Sequence, residues 1–378
     1  MRFSLCFFLL GRCLFAHFPF ELKTIIENAD EDWVFSPFSI SSCLSMVADG
    51  ADGETAEEMQ ATLQLPSSFH QWIREWKRDP LSPADFELSV AQGIWIHKHH
   101  PILPSYLDHL RSIYEASIES VLFLPETAKQ INNWIAEKTH QKIRNLLSPT
   151  SISPATRAVL VNALYFHGSW LHPFDEKNTR PDLFYPAPAE LVQAPFMDQT
   201  CSLPYLDNGR FKALILPIAS ASKQGCSPVC LLVLPHEGEM DPFDEAAVSE
   251  ILSHSQVRKV HVRVPKFEME YRLVLNEPLK QLGMEKVFTP FADLSKIDGM
   301  RDLYLNEVLH KAFFAFDEMG IEAAAATAAV INCTTSITQP TAPVLFLANR
   351  PFYFALADRK TGTILFMGHV RHPIVICN

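Results

Sequence analysis

Between two apolar runs near the C-terminus lies a stretch, Ile321 to Pro343, without a single Lys, Arg, Asp or aromatic residue. It opens as Glu318-Met-Gly-Ile-Glu-Ala-Ala-Ala-Ala-Thr327, follows the run Leu303 to Phe316 and precedes Val344 to Leu347. Gly320 carries no Cβ and can serve as a pivot with unusual backbone angles. The small residues after it can bend as a loop, and no proline between Ile321 and Gln339 bars them from a strand. Such a segment can be exposed in one state and a sheet strand in another. Two simpler readings compete. Alanine-rich sequence with a glutamate is a good helix former, and on local pattern alone the helix is favoured. A flexible linker is the other, although linkers favour Gly and Ser over Ala and Val.

The chain has 378 residues, 48% of them hydrophobic, enough for a large core. Its length suggests two or three domains, yet no internal repeat or long linker divides it, which points to one mixed domain. The formal net charge is −11, scattered rather than blocked. That argues against a nucleic-acid or heparin partner, which requires a basic stripe. The basic cluster Lys138, Lys142, Arg144 reads as the solvated face of a helix.

Residues 1–16 read as an export signal: Arg2 is the positive end, an apolar run follows, and Ala16 is a small residue for cleavage. Arg12 interrupts that run and Leu14 is bulky for the cleavage pattern; the competing reading is the first helix of a cytosolic protein. No later segment is long and apolar enough to span a membrane. The eight cysteines (Cys6, Cys13, Cys43, Cys201, Cys226, Cys230, Cys333, Cys377) show no disulfide-framework spacing, and buried thiols explain most of them. Cys226 with Cys230, and His97-Lys-His-His100, are weak metal patterns; neither metal nor other cofactor is assigned.

Hydrophobic spacing predicts helices over Phe20–Asn28, Pro104–Tyr114 and Glu126–Leu147, the last with an apolar face of Ile131, Trp134, Ile135, Ile143 and Leu146. Ser39 or a neighbouring hydroxyl is expected to cap a helix running to Val47, and Thr55 to cap the next. Strands are expected at Phe86–Ile96, Arg157–Phe166, His261–Phe267 and Leu305–Phe316, with a hairpin of Phe211–Ile218 and Val229–Pro235. Pro181, Pro186, Pro188 and Pro195 should break their region into short edge strands. Glu277–Leu282 reads as a short helix with Pro278 in its first turn, and two last strands meet at a turn over Lys360–Gly362. The strand Arg157–Phe166 reads as buried on both faces, so Asn162 in its middle needs hydrogen-bond partners.

What decides against a surface helix at the C-terminal stretch is a resemblance. Glu318-x-Gly320-x-Glu322-Ala323-Ala324-Ala325-Ala326-Thr327, ahead of Asn349-Arg-Pro-Phe352, resembles the hinge and reactive loop of the serpin family. Phe35-Ser-Pro-Phe-Ser-Ile-Ser41, Gly50 to Met59, Gly168-Ser-Trp170 and Val287 to Ser295 are similar to further family stretches, in the family's order. The resemblance covers about His17 to Pro373. It implies an α+β fold: a single serpin domain over 17–378, with a large central β-sheet, further sheets, surrounding helices and an exposed reactive loop at about 318–345.

It also implies a function, that of a protease inhibitor acting as a suicide substrate. A serine or papain-like cysteine protease would be trapped as an acyl complex while the cleaved loop enters the main sheet. The hinge would be Glu318, Gly320, Ile321, Glu322, Ala323, Ala324, Ala325 and Ala326. Ser36, Ser39, Asn162 and His310 would govern opening of the sheet, with Asn162 and His310 near one another where the central strands part. Trp170 would lie where the loop enters. In a strand, Ile321, Ala323, Ala325, Thr327 and Ala329 share one face and Glu322 the other; small residues there suit insertion. Inhibitory members carry Thr or Ser where Ile321 stands, and the bulk of Ile is a departure.

Counting from Glu318 puts the scissile bond between Thr334 and Thr335. Counting back from Pro351 disagrees, and Ile331, Cys333, Ser336 and Ile337 remain alternatives. With no basic residue or aspartate in the loop, the implied target is elastase-like or otherwise prefers small or aliphatic residues. Asn332-Cys-Thr334 is a glycosylation sequon, expected to be unmodified because a glycan would obstruct a protease. A monomer is expected. Two alternatives stand beside this reading: a non-inhibitory serpin (carrier or chaperone), and a cysteine-dependent hydrolase using Cys333 or Cys43 with a histidine. No nucleophile elbow, phosphate loop or dinucleotide fingerprint supports an enzyme.

Overall fold

The computed structural model describes residues 17–28, 30–78, 86–148, 150–219, 227–239, 241–321 and 342–373. The chain begins α1 (His17–Ile26), β1 (Trp33–Phe35), α2 (Pro37–Gly50), α3 (Gly53–Leu63), α4 (Phe69–Arg78) and β2 (Phe86–His97). Then come α5 (Pro104–Ile113), β3 (Ser117–Val121), α6 (Pro125–Lys138), β4 (Ala158–Ser169), β5 (Arg180–Ala187), β6 (Glu190–Asp207), β7 (Phe211–Pro217) and β8 (Pro228–Pro235). It continues through α7 (Glu245–His254), β9 (Gln256–Pro265), β10 (Phe267–Val274), α8 (Asn276–Gln281) and α9 (Ser295–Asp298). It closes with β11 (Glu307–Phe316), β12 (Gly320–Ile321), β13 (Val344–Leu347), β14 (Phe352–Asp358) and β15 (Ile364–Val370).

Two sheets organise these elements. One runs β1-β15-β14-β8-β7-β6-β9-β13, with β5 on β6; the other, the main sheet, runs β10-β11-β12-β4-β2-β3 with a direct β11–β4 pairing. This α+β arrangement is the expected fold class.

The main sheet is apolar on both faces, and side-chain parity divides it. Val159, Val161, Ala163 and Tyr165 of β4, with Leu309 and Phe313 of β11, meet Ala128, Ile131 and Ile135 of α6. Leu160, Leu164 and Phe166, with Val308, Ala312, Phe314 and Phe316, turn instead to the larger core. That core is shared with α2 and the other sheet, through residues such as Phe38, Leu44, Phe354 and Phe366.

Several expected boundaries shift for identifiable reasons. Of the hydroxyls expected to cap α2 it is the neighbouring Ser36 rather than Ser39 that does so: its Oγ accepts the Ser39 N–H at 3.1 Å, and Pro37 fills the first turn. Asp52 precedes α3; Thr55 lies buried inside the helix, its Oγ1 accepting the Asp293 N–H at 2.9 Å. The helix expected to reach Leu147 ends at Lys138, because His140 and Gln141 enter the left-handed region (φ 48° and 65°). Ile143 and Leu146 remain fully buried all the same, in a loop laid over the sheet. The proline-rich stretch holds one short edge strand, β5, but then the 18-residue β6. Residues 1–16, the expected export signal, lie outside the described residues.

Candidate functional site

In the main sheet, β11 and β4 run parallel and in register from Glu307↔Val159 to Ala312↔Leu164. Beyond that the two strands part, and β12 occupies the gap. Phe316 pairs with Ile321 on one side, while Ser169 and Gly168 pair with Gly320 and Ile321 on the other. The seam is therefore shut at one end and already wedged open at the other.

The wedge is built by a tight reversal after β11. The Asp317 N–H donates to the Gly320 carbonyl at 2.9 Å, and the Asp317 carboxylate accepts the Met319 and Gly320 N–H groups at 2.8 and 3.1 Å. Burial holds this carboxyl above the usual range, outweighing those two donors. Gly320 is required by close approach: a Cβ there would sit 2.0 Å from the Gly168 carbonyl oxygen. This corrects the expectation of a pivot with unusual angles, since Gly320 is not among the glycines of positive φ. Ile321 is fully buried in the larger core cluster.

Trp170 lies against this turn. Its backbone N–H reaches the Met319 carbonyl and its indole N–H the Asp317 carbonyl, each at 2.8 Å, and its ring packs 5.0 Å from that of Phe316. Glu318 is only 5% exposed. Its carboxylate accepts the Thr179 hydroxyl at 2.8 Å and the Lys266 ammonium at 2.9 Å. Burial pushes this carboxyl up, but Lys266 together with the hydroxyl brings it below the usual range. Thr179 and Lys266 carry no motif of their own, and the sequence reading missed them; Gly168 belongs to the stretch Gly168-Ser-Trp170 that it did single out, though not for this contact.

At the shut end, Ser36, Ser39, Asn162 and His310 come together, all within 1% of complete burial. The Ser36 N–H donates to His310 Nε2 at 3.1 Å, which fixes the tautomer. His310 Nδ1–H then donates to Asn162 Oδ1 at 2.8 Å, an oxygen that also accepts the Ser39 hydroxyl at 2.8 Å. Asn162 Nδ2 completes the set by donating to the Ser39 carbonyl at 2.9 Å. Burial depresses His310 to about 3, so the ring is neutral near pH 7.

A second tie crosses the opposite face. Lys311 Nζ donates to the Arg144 carbonyl at 2.6 Å and meets Glu270, and Arg272 Nε donates to the Leu146 carbonyl at 2.8 Å. These bonds hold the loop after α6 onto β10 and β11. Glu322, Ala323, Ala324, Ala325 and Ala326, and the candidate bait residues Ile331, Cys333, Thr334, Thr335, Ser336 and Ile337, lie outside the described residues.

Comparison with known proteins agrees with this geometry. The family model described as "Serpin (serine protease inhibitor)" matches residues 16–373. An uncharacterized serpin-like protein of Thermococcus kodakarensis is 34% identical over 370 residues, covering 94% of this chain and 84% of that protein. Serpin B4 of Homo sapiens is 31% identical over 388 residues, 94% and 97% of the two chains. Intracellular coagulation inhibitor 2 of Tachypleus tridentatus is 32% identical over 373 residues, 94% and 89% of the two. Among solved structures, uncleaved ovalbumin superposes with a TM-score of 0.84 at 25% identity, over 96% of this chain and 100% of that one. Native tengpin, a thermophilic serpin, gives 0.82 at 26% identity, over 98% and 96%.

Proposed function

Because the chain belongs to the serpin family, we propose that it inhibits a protease as a suicide substrate, drawing its cleaved loop into the main sheet. The observation that carries this reading is β12, which already pairs with β11 on one side and β4 on the other. Insertion would extend β12 between β11 and β4, parting the register pairs that still join them, and its first two residues are seated.

The sequence of events follows from the target's own chemistry. A serine or cysteine protease attacks the exposed loop and becomes its acyl ester or thioester. The cut frees residues 322 onward from their distal anchor at β13, and they enter the seam behind Ile321. About 14 residues at roughly 3.3 Å each would carry the tethered protease on the order of 45 Å. At about 0.5–1.5 kcal/mol net per hydrogen bond, such a strand gains on the order of 10 kcal/mol. That is comparable to a domain's stability, enough to distort a catalytic site that tolerates only small displacements. In this proposal Ser36, Ser39, Asn162 and His310 govern parting of the seam, and Trp170 and Glu318 hold the entrance.

The target we propose prefers small or aliphatic residues, as an elastase-like serine protease does, and the inhibitor acts as a monomer. Export through residues 1–16 belongs to the same proposal; N-terminal sequencing of protein collected from the medium should then begin at His17. The carrier reading has one observation in its favour, a structural likeness to thyroxine-binding globulin solved with thyroxine (TM-score 0.83, 25% identity). A hydrolase using Cys43 is disfavoured, because complete burial holds that thiol far above the usual range.

The deciding experiment mixes the purified protein with an elastase-like protease and runs a denaturing gel. A stable covalent complex, with a released fragment beginning at or near Thr335, is the expected result. Complete cleavage with no complex would overturn the inhibitory reading and leave the carrier.

A further inference from the structure

His97 ends β2 and the turn after it carries Lys98, His99 and His100, and folding brings two carboxylates to the last of them. His100 is 3% exposed and Asp298, the last residue of α9, is 4% exposed. His100 Nδ1 lies 2.8 Å from Asp298 Oδ2 and 3.7 Å from Asp302 Oδ1, and the three ligand atoms all fall within 4.8 Å of one another. A histidine–aspartate hydrogen bond accounts for Asp298. It does not account for Asp302, whose oxygen converges on the same nitrogen from beyond hydrogen-bond reach.

We propose that His100 Nδ1 and the carboxylates of Asp298 and Asp302 form a binding site for a borderline divalent transition metal such as Zn²⁺. Zinc bonds of about 2.0–2.2 Å set tetrahedral ligand atoms roughly 3.3–3.6 Å apart, a spacing that the distances of 2.8 and 3.7 Å bracket. The imidazole selects such metals over Mg²⁺ or Ca²⁺, which take oxygen ligands. Two carboxylates match the charge of the ion, and a neutral imidazole adds its Nδ1 lone pair with the ring proton on Nε2.

Second partners hold the two buried ligands. Asp298 Oδ1 accepts the Met300 N–H at 2.8 Å, and the backbone N–H of His100 donates to the His97 carbonyl at 2.9 Å, which fixes the turn that carries the ring. Asp302 is 71% exposed and can swing the last fraction of an ångström, leaving the outer coordination positions to water. Arg301, the neighbouring cation, is turned to Asp293 at 3.1 Å.

The site spans the seam. His100 follows β2, on the β4 side, whereas Asp298 and Asp302 lie on the approach to β11. The two segments are already joined by the Leu103 N–H to the Ile297 carbonyl at 2.8 Å. A metal here clips the two halves of the sheet together at the end where β11 and β4 still pair.

The test uses the intact, metal-depleted protein, titrated with Zn²⁺ by calorimetry and with Co²⁺ by its visible absorption, without any protease. One site per chain is expected, weakened at least tenfold in Asp302→Asn, whose exposed position leaves folding intact, and lost in His100→Gln. His99→Asn, on the same turn, should bind as the parent does. Zn²⁺ should raise the melting temperature of the parent and leave that of Asp302→Asn unmoved. Equal binding by the parent and Asp302→Asn, or no saturation by 1 mM metal (about −4.1 kcal/mol), would overturn the proposal. Because no protease enters the assay, its outcome is independent of whether the protein inhibits one.

Discussion

Replacing Ile321 with glutamate tests the seated hinge most directly. Ile321 is 0% exposed, paired to Phe316 and Gly168. Burying an isoleucine side chain contributes about 1.5–3 kcal/mol. Glutamate forfeits that and must also be desolvated between two strands, at a cost of several kcal/mol even after relaxation. Lys266 is already engaged by Glu318 at 2.9 Å. With about 3 kcal/mol as a floor, the first insertion step slows by about a hundredfold, at 1.36 kcal/mol per tenfold.

Trapping requires insertion to outrun hydrolysis of the acyl intermediate, so I321E is expected to be cleaved and released as an ordinary substrate. Residual protease activity across a series of inhibitor-to-protease ratios, with a denaturing gel, reads that partition. A second readout needs no target. With unfolding entropy of about 2.1 cal/mol/K per residue, 378 residues give about 0.8 kcal/mol/K. A gain on the order of 10 kcal/mol on nicking then raises the melting temperature by roughly 10–15 °C. The nicked parent should show this rise in full, and nicked I321E a rise smaller by the roughly 3 kcal/mol forfeited, or about 4 °C. If both rise equally, or if I321E traps protease at the parental ratio, the reasoning from the seat is wrong.

Gly320→Ala should unseat the hinge without adding charge, because its Cβ would meet the Gly168 carbonyl at 2.0 Å; slower complex formation, at an unchanged rate of loop cleavage, is the check. His310 titrates far lower folded, at about 3, than unfolded, near 6.5. Its contribution to stability is therefore intact above about pH 6.5 and declines as pH falls, by about 1.4 kcal/mol per unit. Melting temperatures at pH 7.5, 6 and 5 should fall more steeply in the parent than in His310→Gln. Trp170→Phe removes a part-buried indole hydrogen bond to the Asp317 carbonyl, at about 1–3 kcal/mol, and should lower the melting temperature of the intact form by a few degrees. Lys311→Met frees the loop after α6 and should speed insertion, seen as faster complex formation.

The elements legible in the sequence were those with a strong period or a complete apolar run. β4 is apolar from Ala158 to Phe166, so its double burial and the need of Asn162 for partners followed before any fold was in hand. The meeting of Asn162 with His310 came from resemblance, because no local pattern joins residues so far apart in the chain. Ile143 and Leu146 misled the reading: they keep helical spacing from Ile135, yet reach the same core through a loop turned by His140 and Gln141. Lys266, Thr179 and Lys311 were illegible for a different reason. Each is an ordinary polar residue with no pattern around it, and only contacts between segments distant in the chain place it beside the seam.

The arrangement also says where the seam would open in the proposed mechanism. The six β11–β4 register pairs are replaceable, since an inserted strand would satisfy the same edges with more bonds than it breaks. Opposing that gain are ties that cross the seam: His310 to Asn162 on the inner face, and on the outer face the loop from α6 that Lys311 holds to β11. The first contact is buried and the second part-buried, so breaking them one at a time leaves polar groups short of partners, each costing up to about 1–3 kcal/mol. The barrier therefore lies in polar contacts and the driving force in backbone pairing. In the proposed mechanism such a fold is held kinetically rather than by its depth, and the seated Gly320 and Ile321 mark the end from which it would give.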